Sequence, residues 1–313
     1  VKIGVVGAGA MGSLFGGKLA RSGQEVLLFD VNRAHMERVR EQGLVIEELA
    51  TGRRESCHPR ATTEPKELRD AEVLLVFVKS WATEAVSRQI APIAAAGSIA
   101  ITLQNGLGNE SILKHFFGPE RTAAGVTSQG ATFLGPGLIR HAGRGPTHLC
   151  ASDGRNDKLA GFAAALNAAG LETRLESSID SLVWSKLVIN AGINALTALT
   201  GLPNGRLLEL PETRELMAAL VSEAAAVAAA RGIALAYPDP VETTRTVARD
   251  TGGNRSSMLQ DFDQRRPSEI DSINGAVLRE AEALGLPAPV NRAVTLLVRA
   301  MDALHAQAQG AAP

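Results

Sequence analysis

Short, almost purely apolar runs recur through the first half of the chain, at residues 1–6, 25–29, 72–78 and 98–103, each separated from the next by a longer amphipathic stretch. Runs apolar at every position, rather than at alternate ones, predict strands buried on both faces. Their alternation with helical stretches predicts a doubly wound parallel sheet. Residues 122–149 are rich in Gly, Thr and apolar residues and alternate around 137–141, which predicts antiparallel strands continuing that sheet. A helix at 157–169 and a strand at 172–175 complete the first region. After Glu176-Ser177-Ser178 the pattern changes. No strand is predicted from 179 to 306, and helices are expected over 179–200, 213–231, 240–249, 268–284 and 290–306. Gly201, Pro203, Gly232 and Pro238 to Pro240 punctuate them. The expectation is α/β: a doubly wound domain over 1–178 and an all-helical domain over 179–313, with a tail, 309–313, that frays.

The first apolar run leads directly into Gly7-Ala8-Gly9-Ala10-Met11-Gly12 and a helical stretch. Strand, glycine turn and helix in that order form the dinucleotide fingerprint of a Rossmann-type fold. Gly7 permits the tight turn, Gly9 lets backbone approach a pyrophosphate, and Gly12 allows the helix to pack closely on the strand. Gly7, Gly9, Ala10, Met11 and Gly12 are therefore candidate cofactor-binding residues, with the phosphates at the helix N-terminus. Asp30 ends the second strand, where a carboxylate suits a ribose 2′-hydroxyl and repels a 2′-phosphate, so it favours NADH over NADPH. Arg33, three residues on, is placed to swing toward a phosphate, and Asp30 also suits the N-cap of the following helix.

In the helical half, Lys186, Asn190 and Asn194 fall at i, i+4 and i+8 of an otherwise apolar segment, so one ammonium and two amides share a helical face. Buried amides and charges need polar partners, which points this stripe at a ligand or a cleft, or at neighbouring helices with Lys186 snorkelling to water. Lys79 and Asn105 stand at the carboxyl ends of the third and fourth apolar runs, the edge where doubly wound sheets hold ligands. Glu269 follows Ser268, a natural N-cap, and so reads first as a first-turn acid and second as a site residue.

Composition narrows the classes further. The chain has 313 residues, enough for two cores, and a net charge of −1 that gives nucleic acid or an anionic membrane no electrostatic hold. No apolar run is expected to reach a membrane-spanning length. The first strand starts at the first residue, which predicts a chain without a leader and hence a cytoplasmic one. Two cysteines, Cys57 and Cys150, and six unpaired histidines suggest neither a disulfide framework nor a metal site. The alanine-rich stretch 217–230 suits packing inside its own domain or against a second copy in a homodimer.

Taken together, GAGAMG, the VKS around Lys79, LQNGLGN, WSKLVINAGINALTAL, LPNG, SSMLQDF and RRPSEIDSINGAV resemble, in order and spacing, the ketopantoate reductase (2-dehydropantoate 2-reductase) family. The resemblance runs nearly end to end. It implies a Rossmann domain followed by a helical domain, with a nicotinamide cofactor in the cleft between them. Carried over by position, Lys186 matches the family's catalytic lysine and Glu269 its active-site glutamate. Asn190, Asn194, Asn254 and Ser257 match its substrate-contacting positions, and Asn204 in LPNG a further polar position near the substrate. Asn105 and Lys79 match residues lining the cofactor and substrate side. One departure stands out: members using NADPH typically carry a basic residue where this chain has Asp30. The implied activity is reduction of ketopantoate to (R)-pantoate with NAD(P)H, Lys186 acting as general acid. A paralogue acting on another small 2-keto or hydroxy acid is the alternative. A dinucleotide-binding sensor without turnover is disfavoured by the intact Lys186 and Glu269.

Overall fold

The structure, a computed structural model, describes residues 1–308 and Gly310, so the expectation for the tail lies outside the described residues apart from Gly310. The chain divides into two compact units. One comprises Val1–Gln104 and Asn109–Ile179; the other comprises Asn105–Gly108 and Asp180–Pro313.

In the first unit the strands are β1 (Lys2–Val6), β2 (Glu25–Phe29), β3 (Leu44–Glu48), β4 (Arg54–Cys57), β5 (Arg60–Thr62), β6 (Val73–Val76), β7 (Ile99–Thr102), β8 (Thr122–Thr127), β9 (Gly130–Gly135), β10 (Leu138–Gly143), β11 (Thr147–Ala151) and β12 (Thr173–Leu175). Eight of them form the main sheet in the order β12-β11-β8-β7-β6-β1-β2-β5. The four apolar runs are its parallel centre, with Ile3 paired to Val26 on one side and to Val73 on the other. These strands are buried because helices cover both faces: α1 (Ala10–Arg21), α2 (Arg33–Gln42), α3 (Thr83–Ile90), α4 (Asn109–Phe117) and α5 (Ala160–Ala168).

The expectation of a simple antiparallel continuation over 122–149 is corrected. β8 runs parallel to β7, and only β11 pairs antiparallel with β8. β9 and β10 leave to join a second, four-stranded sheet in the order β4-β3-β10-β9, which the sequence pattern did not predict. Helix α1 lies between the two sheets and is buried along most of its length. Gly16 faces Leu28 of the first sheet, and Gly17 faces Leu44 and Ile46 of the second; a Cβ at either would stand under 3.0 Å from those side chains.

The second unit contains no strand among its described residues. Its helices are α6 (Asp180–Thr200), α7 (Pro211–Ala230), α8 (Pro240–Asp250), α9 (Ser257–Asp263), α10 (Asn274–Leu284) and α11 (Pro289–Ala308). Leu187, Val188, Ala191 and Ala195 of α6 pack with Leu220, Val221 and Ala224 of α7 in one core. Contrary to expectation, α6 is long and apolar enough to cross a membrane, with a mean hydropathy of 1.4, but 67% of that window is buried inside the protein. Its apolarity serves the core.

Two further expectations fail here. Helix α9 was not foreseen, and the helix expected over 268–284 is interrupted. A 3-10 turn, Ile270–Ser272, is followed by Ile273 at φ −107° and ψ −95°, and α10 starts only at Asn274.

Candidate active site

The glycine turn in the first unit has the geometry its residues imply. Gly7 sits at φ +94°, and a Cβ there would meet Val78 N at 2.5 Å. A Cβ on Gly12 would stand 2.0 Å from the Gly7 carbonyl oxygen, whereas one on Gly9 would meet nothing within 4 Å. Packing therefore explains the first and third glycines, and open space over the second leaves room for a ligand. Gly9 is also the N-cap of α1, with no side-chain cap and no acid in the first turn, so no side chain of the turn competes for the N–H groups that open the helix. The residues present fit a dinucleotide pyrophosphate. Lys79 lies one residue beyond the backbone that abuts Gly7, as N-cap of the short turn Ser80–Ala82.

Asp30 ends β2 half-buried, and its Oδ1 accepts from Asn32 N at 2.9 Å. It does not cap α2. That role belongs to Asn32, which accepts from His35 N. His35 is a residue the sequence reading missed. Gly137 N–H donates to its Nδ1 at 2.9 Å, so the ring proton is on Nε2 and donates to Ser13 Oγ at 3.0 Å, which donates in turn to the Ala8 carbonyl at 2.7 Å. Burial lowers the His35 pKa against the pull of Asp30, keeping this tautomer neutral. The chain of bonds braces the glycine turn from behind.

In the second unit, α6 carries Lys186, Asn190 and Asn194 along about 12 Å of helix. Lys186 and Asn190 are half-buried, and Asn194 is buried. Desolvation brings the Lys186 pKa down to about 8, opposed by the charge of Glu269. Glu269 is buried, 8% exposed, and is the N-cap of the 3-10 turn rather than a first-turn acid of a long helix. Asn105 opens the segment that groups with this unit. Leu107 N donates to Ser272 O at 2.9 Å, and a Cβ on Gly106 would stand 2.2 Å from that same oxygen. Ser272 in turn donates from N and Oγ to Glu269 O at 3.1 and 3.0 Å. The loop of Asn105 is thus seated on the turn of Glu269.

At the other end of the stripe, Thr197 Oγ1 and Ser256 Oγ are 2.6 Å apart, which docks the start of α9 on α6. Ser256 caps α9 by accepting from Leu259 N, leaving Ser257 as its first helical residue. Asn204 and the exposed Asn254 are joined through backbone, Asn204 N donating to Asn254 O at 3.0 Å. Asn204 Nδ2 donates to Thr251 Oγ1, while its buried Oδ1 has no partner among the described residues. The seven residues expected around Lys186 thus share one unit, and the glycine turn, Asp30 and Lys79 share the other.

The family model described as "Ketopantoate reductase PanE/ApbA" matches residues 3–154, and its C-terminal counterpart matches 178–302. The chain belongs to the ketopantoate reductase family. Among curated relatives, the 2-dehydropantoate 2-reductase of Halobacterium salinarum is 37% identical over 96% of this chain and 98% of its own. That of Archaeoglobus fulgidus is 33% identical over 96% and 98%. A ketopantoate reductase structure from Ralstonia eutropha JMP134 matches with a TM-score of 0.89 at 34% identity, covering 97% of this chain and 99% of its own. D-mandelate dehydrogenase in ternary complex with NADH and anilino(oxo)acetate matches with the same TM-score at 28% identity, covering 97% and 99%. Like the rest of the ketopantoate reductase family, the chain is an NAD(P)-dependent oxidoreductase.

Proposed function

We propose that the chain reduces 2-dehydropantoate to (R)-pantoate, with Lys186 as the proton donor. The observation that carries this is the Lys186 ammonium on α6, held near pKa 8 by burial while the charge of Glu269 acts on it. A bound nicotinamide supplies the hydride. As charge develops on the carbonyl oxygen, Lys186 stabilises it and gives up a proton. Glu269 keeps Lys186 charged against the cost of burial. Asn190, Asn194, Asn254 and Ser257 offer neutral donors to a carboxylate and a hydroxyl, and Asn204 Oδ1 is left as an acceptor. Asn105 is placed by its loop on the Glu269 turn, and Lys79 is assigned to the cofactor side with the glycine turn of its own unit.

The similarity to D-mandelate dehydrogenase supports a second reading, action on an aryl 2-keto or 2-hydroxy acid. The polar Asn204, Asn254 and Ser257 favour the hydroxylated aliphatic acid. Steady-state kinetics with ketopantoate and phenylglyoxylate tests the choice: ketopantoate should have the higher kcat/KM, and a preference for phenylglyoxylate would replace the first reading with the second.

For the cofactor, Asp30 keeps an oxygen beyond the one that accepts from Asn32, and that oxygen suits ribose hydroxyls. A 2′-phosphate there meets like charge, a mismatch of about 1–3 kcal/mol, or roughly 5- to 150-fold. NADH is therefore expected to give the higher kcat/KM, and Asp30→Arg to narrow or reverse the ratio. A wild-type preference for NADPH would sink the Asp30 argument and leave Lys186 untouched.

A further inference from the structure

Glu269 sits on a short turn whose own bonds, from Ser272 N and Oγ to Glu269 O, close it but do not tie it to the helices around it. The 3-10 segment is only three residues long, and the break at Ile273 uncouples it from α10. Besides the Asn105 loop on Ser272 and Arg299 of α11, which donates to Asp271 Oδ1 at 2.8 Å, its two ends are tied down. On the N-terminal side, Ser268 donates from N and Oγ to the two carboxylate oxygens of Asp302, at 3.1 and 2.7 Å. On the C-terminal side, Asn274 Nδ2 donates to Ala191 O on α6 and to Asn291 Oδ1, both at 3.0 Å. Asn274 and Asn291 are fully buried, and Asn274 Oδ1 has no partner among the described residues. The amide nitrogen of Asn274 thus ties α6 to α11, and an apolar side chain there would leave the buried Asn291 Oδ1 without this donor. Asn291 is fixed by Glu223, which accepts from Val290 N, Asn291 N and Asn291 Nδ2 at 2.8–2.9 Å. Asn291 and Asp302 both lie on α11, about three turns apart and so on one face.

We propose that α11 splints the Glu269 turn, and that Asn274 and Asp302 are positioning residues that set Glu269 against Lys186. The proposal rests on the reading of Lys186 as proton donor and extends it. Glu269, from the turn held in this way, is the charged group that acts on Lys186. Loosening the turn weakens that field, and Lys186 then loses its proton at lower pH.

The test is the pH profile of kcat for the full chain and for Asn274→Ala, Asp302→Asn, Glu269→Gln and the double variant Asn274→Ala with Glu269→Gln. The alkaline limb should move to lower pH by about 1 unit in Glu269→Gln, and in the same direction in Asn274→Ala and Asp302→Asn. The double variant should shift no further than Glu269→Gln alone, and KM for the dinucleotide should stay constant. A limb that moves with Glu269→Gln but stays in place for Asn274→Ala and Asp302→Asn, whatever their melting temperatures, overturns the splint and leaves the pair intact. Additive shifts overturn it as well. An unmoved limb in Glu269→Gln removes the pair and the proposal together. If Asn274→Ala does not fold, Asp302→Asn, at a partly exposed site, carries the same readout.

Discussion

Burial and the charge of Glu269 pull Lys186 in opposite directions, and their balance sets a working range. With Lys186 as the proposed proton donor, reduction needs the ammonium, so its kcat should be level below pH about 8 and fall about tenfold per unit above it. Oxidation of the hydroxy acid needs the neutral amine and should rise over the same interval. Lys186→Ala should lower kcat by about 10²–10⁴ with dinucleotide affinity nearly unchanged; near wild-type turnover would remove Lys186 from the mechanism. The glycine turn makes a separate prediction at this scale. Gly9→Ala meets no protein atom, so melting should be unaltered while the dinucleotide Kd rises at least about tenfold. Gly12→Ala, aimed at the Gly7 carbonyl, should instead destabilise the fold. Calorimetry and dinucleotide titration of both variants check the contrast. The turn role of Gly7 and the packing role of Gly12 were legible because the fingerprint is local. The brace of Ser13 and His35 was not, since Gly137 reaches it from a distant hairpin.

Among elements, the central strands were legible because continuous apolar runs admit few alternatives. The second sheet was hidden because β3 alternates half-buried with buried positions and β4, Arg-Glu-Ser-Cys, reads as polar loop. The interruption at Ile273 was hidden for a different reason. The amphipathic pattern continues through it, and only tertiary bonds, Asp302 to Ser268 and Asn274 to α6, draw the segment out of a single helix. Helix α9, seven residues long, depends on its cap. Ser256→Ala removes both the bond from Leu259 N and the hydroxyl contact with Thr197, and should cost about 1–2 kcal/mol. Since Ser257 begins α9, KM for the keto acid should rise while that for the dinucleotide holds. A shift in denaturant midpoint together with the two KM values tests this, and equal changes in both would count against a substrate role for Ser257.

For the whole molecule, the segment Asn105–Gly108 matters most, because it belongs to the helical unit although it lies among the strands in sequence. Gly106, at φ +83° and hard against Ser272, has no room for a side chain. Gly106→Ala should therefore lower stability by about 3 kcal/mol or more and depress turnover with it. Thermal unfolding and kcat together decide, and an intact melting curve would show that the seat is loose. The same segment orders events at the ribosome. Residues 105–108 emerge on the order of 10 s before Ser272 is made, given usual elongation rates, so the loop has to wait unseated while the intervening chain is synthesised. A chain stopped before Ser272 cannot seat it. Sense of direction thus enters the fold: a turn translated much later completes the seat of a loop that emerged well before it.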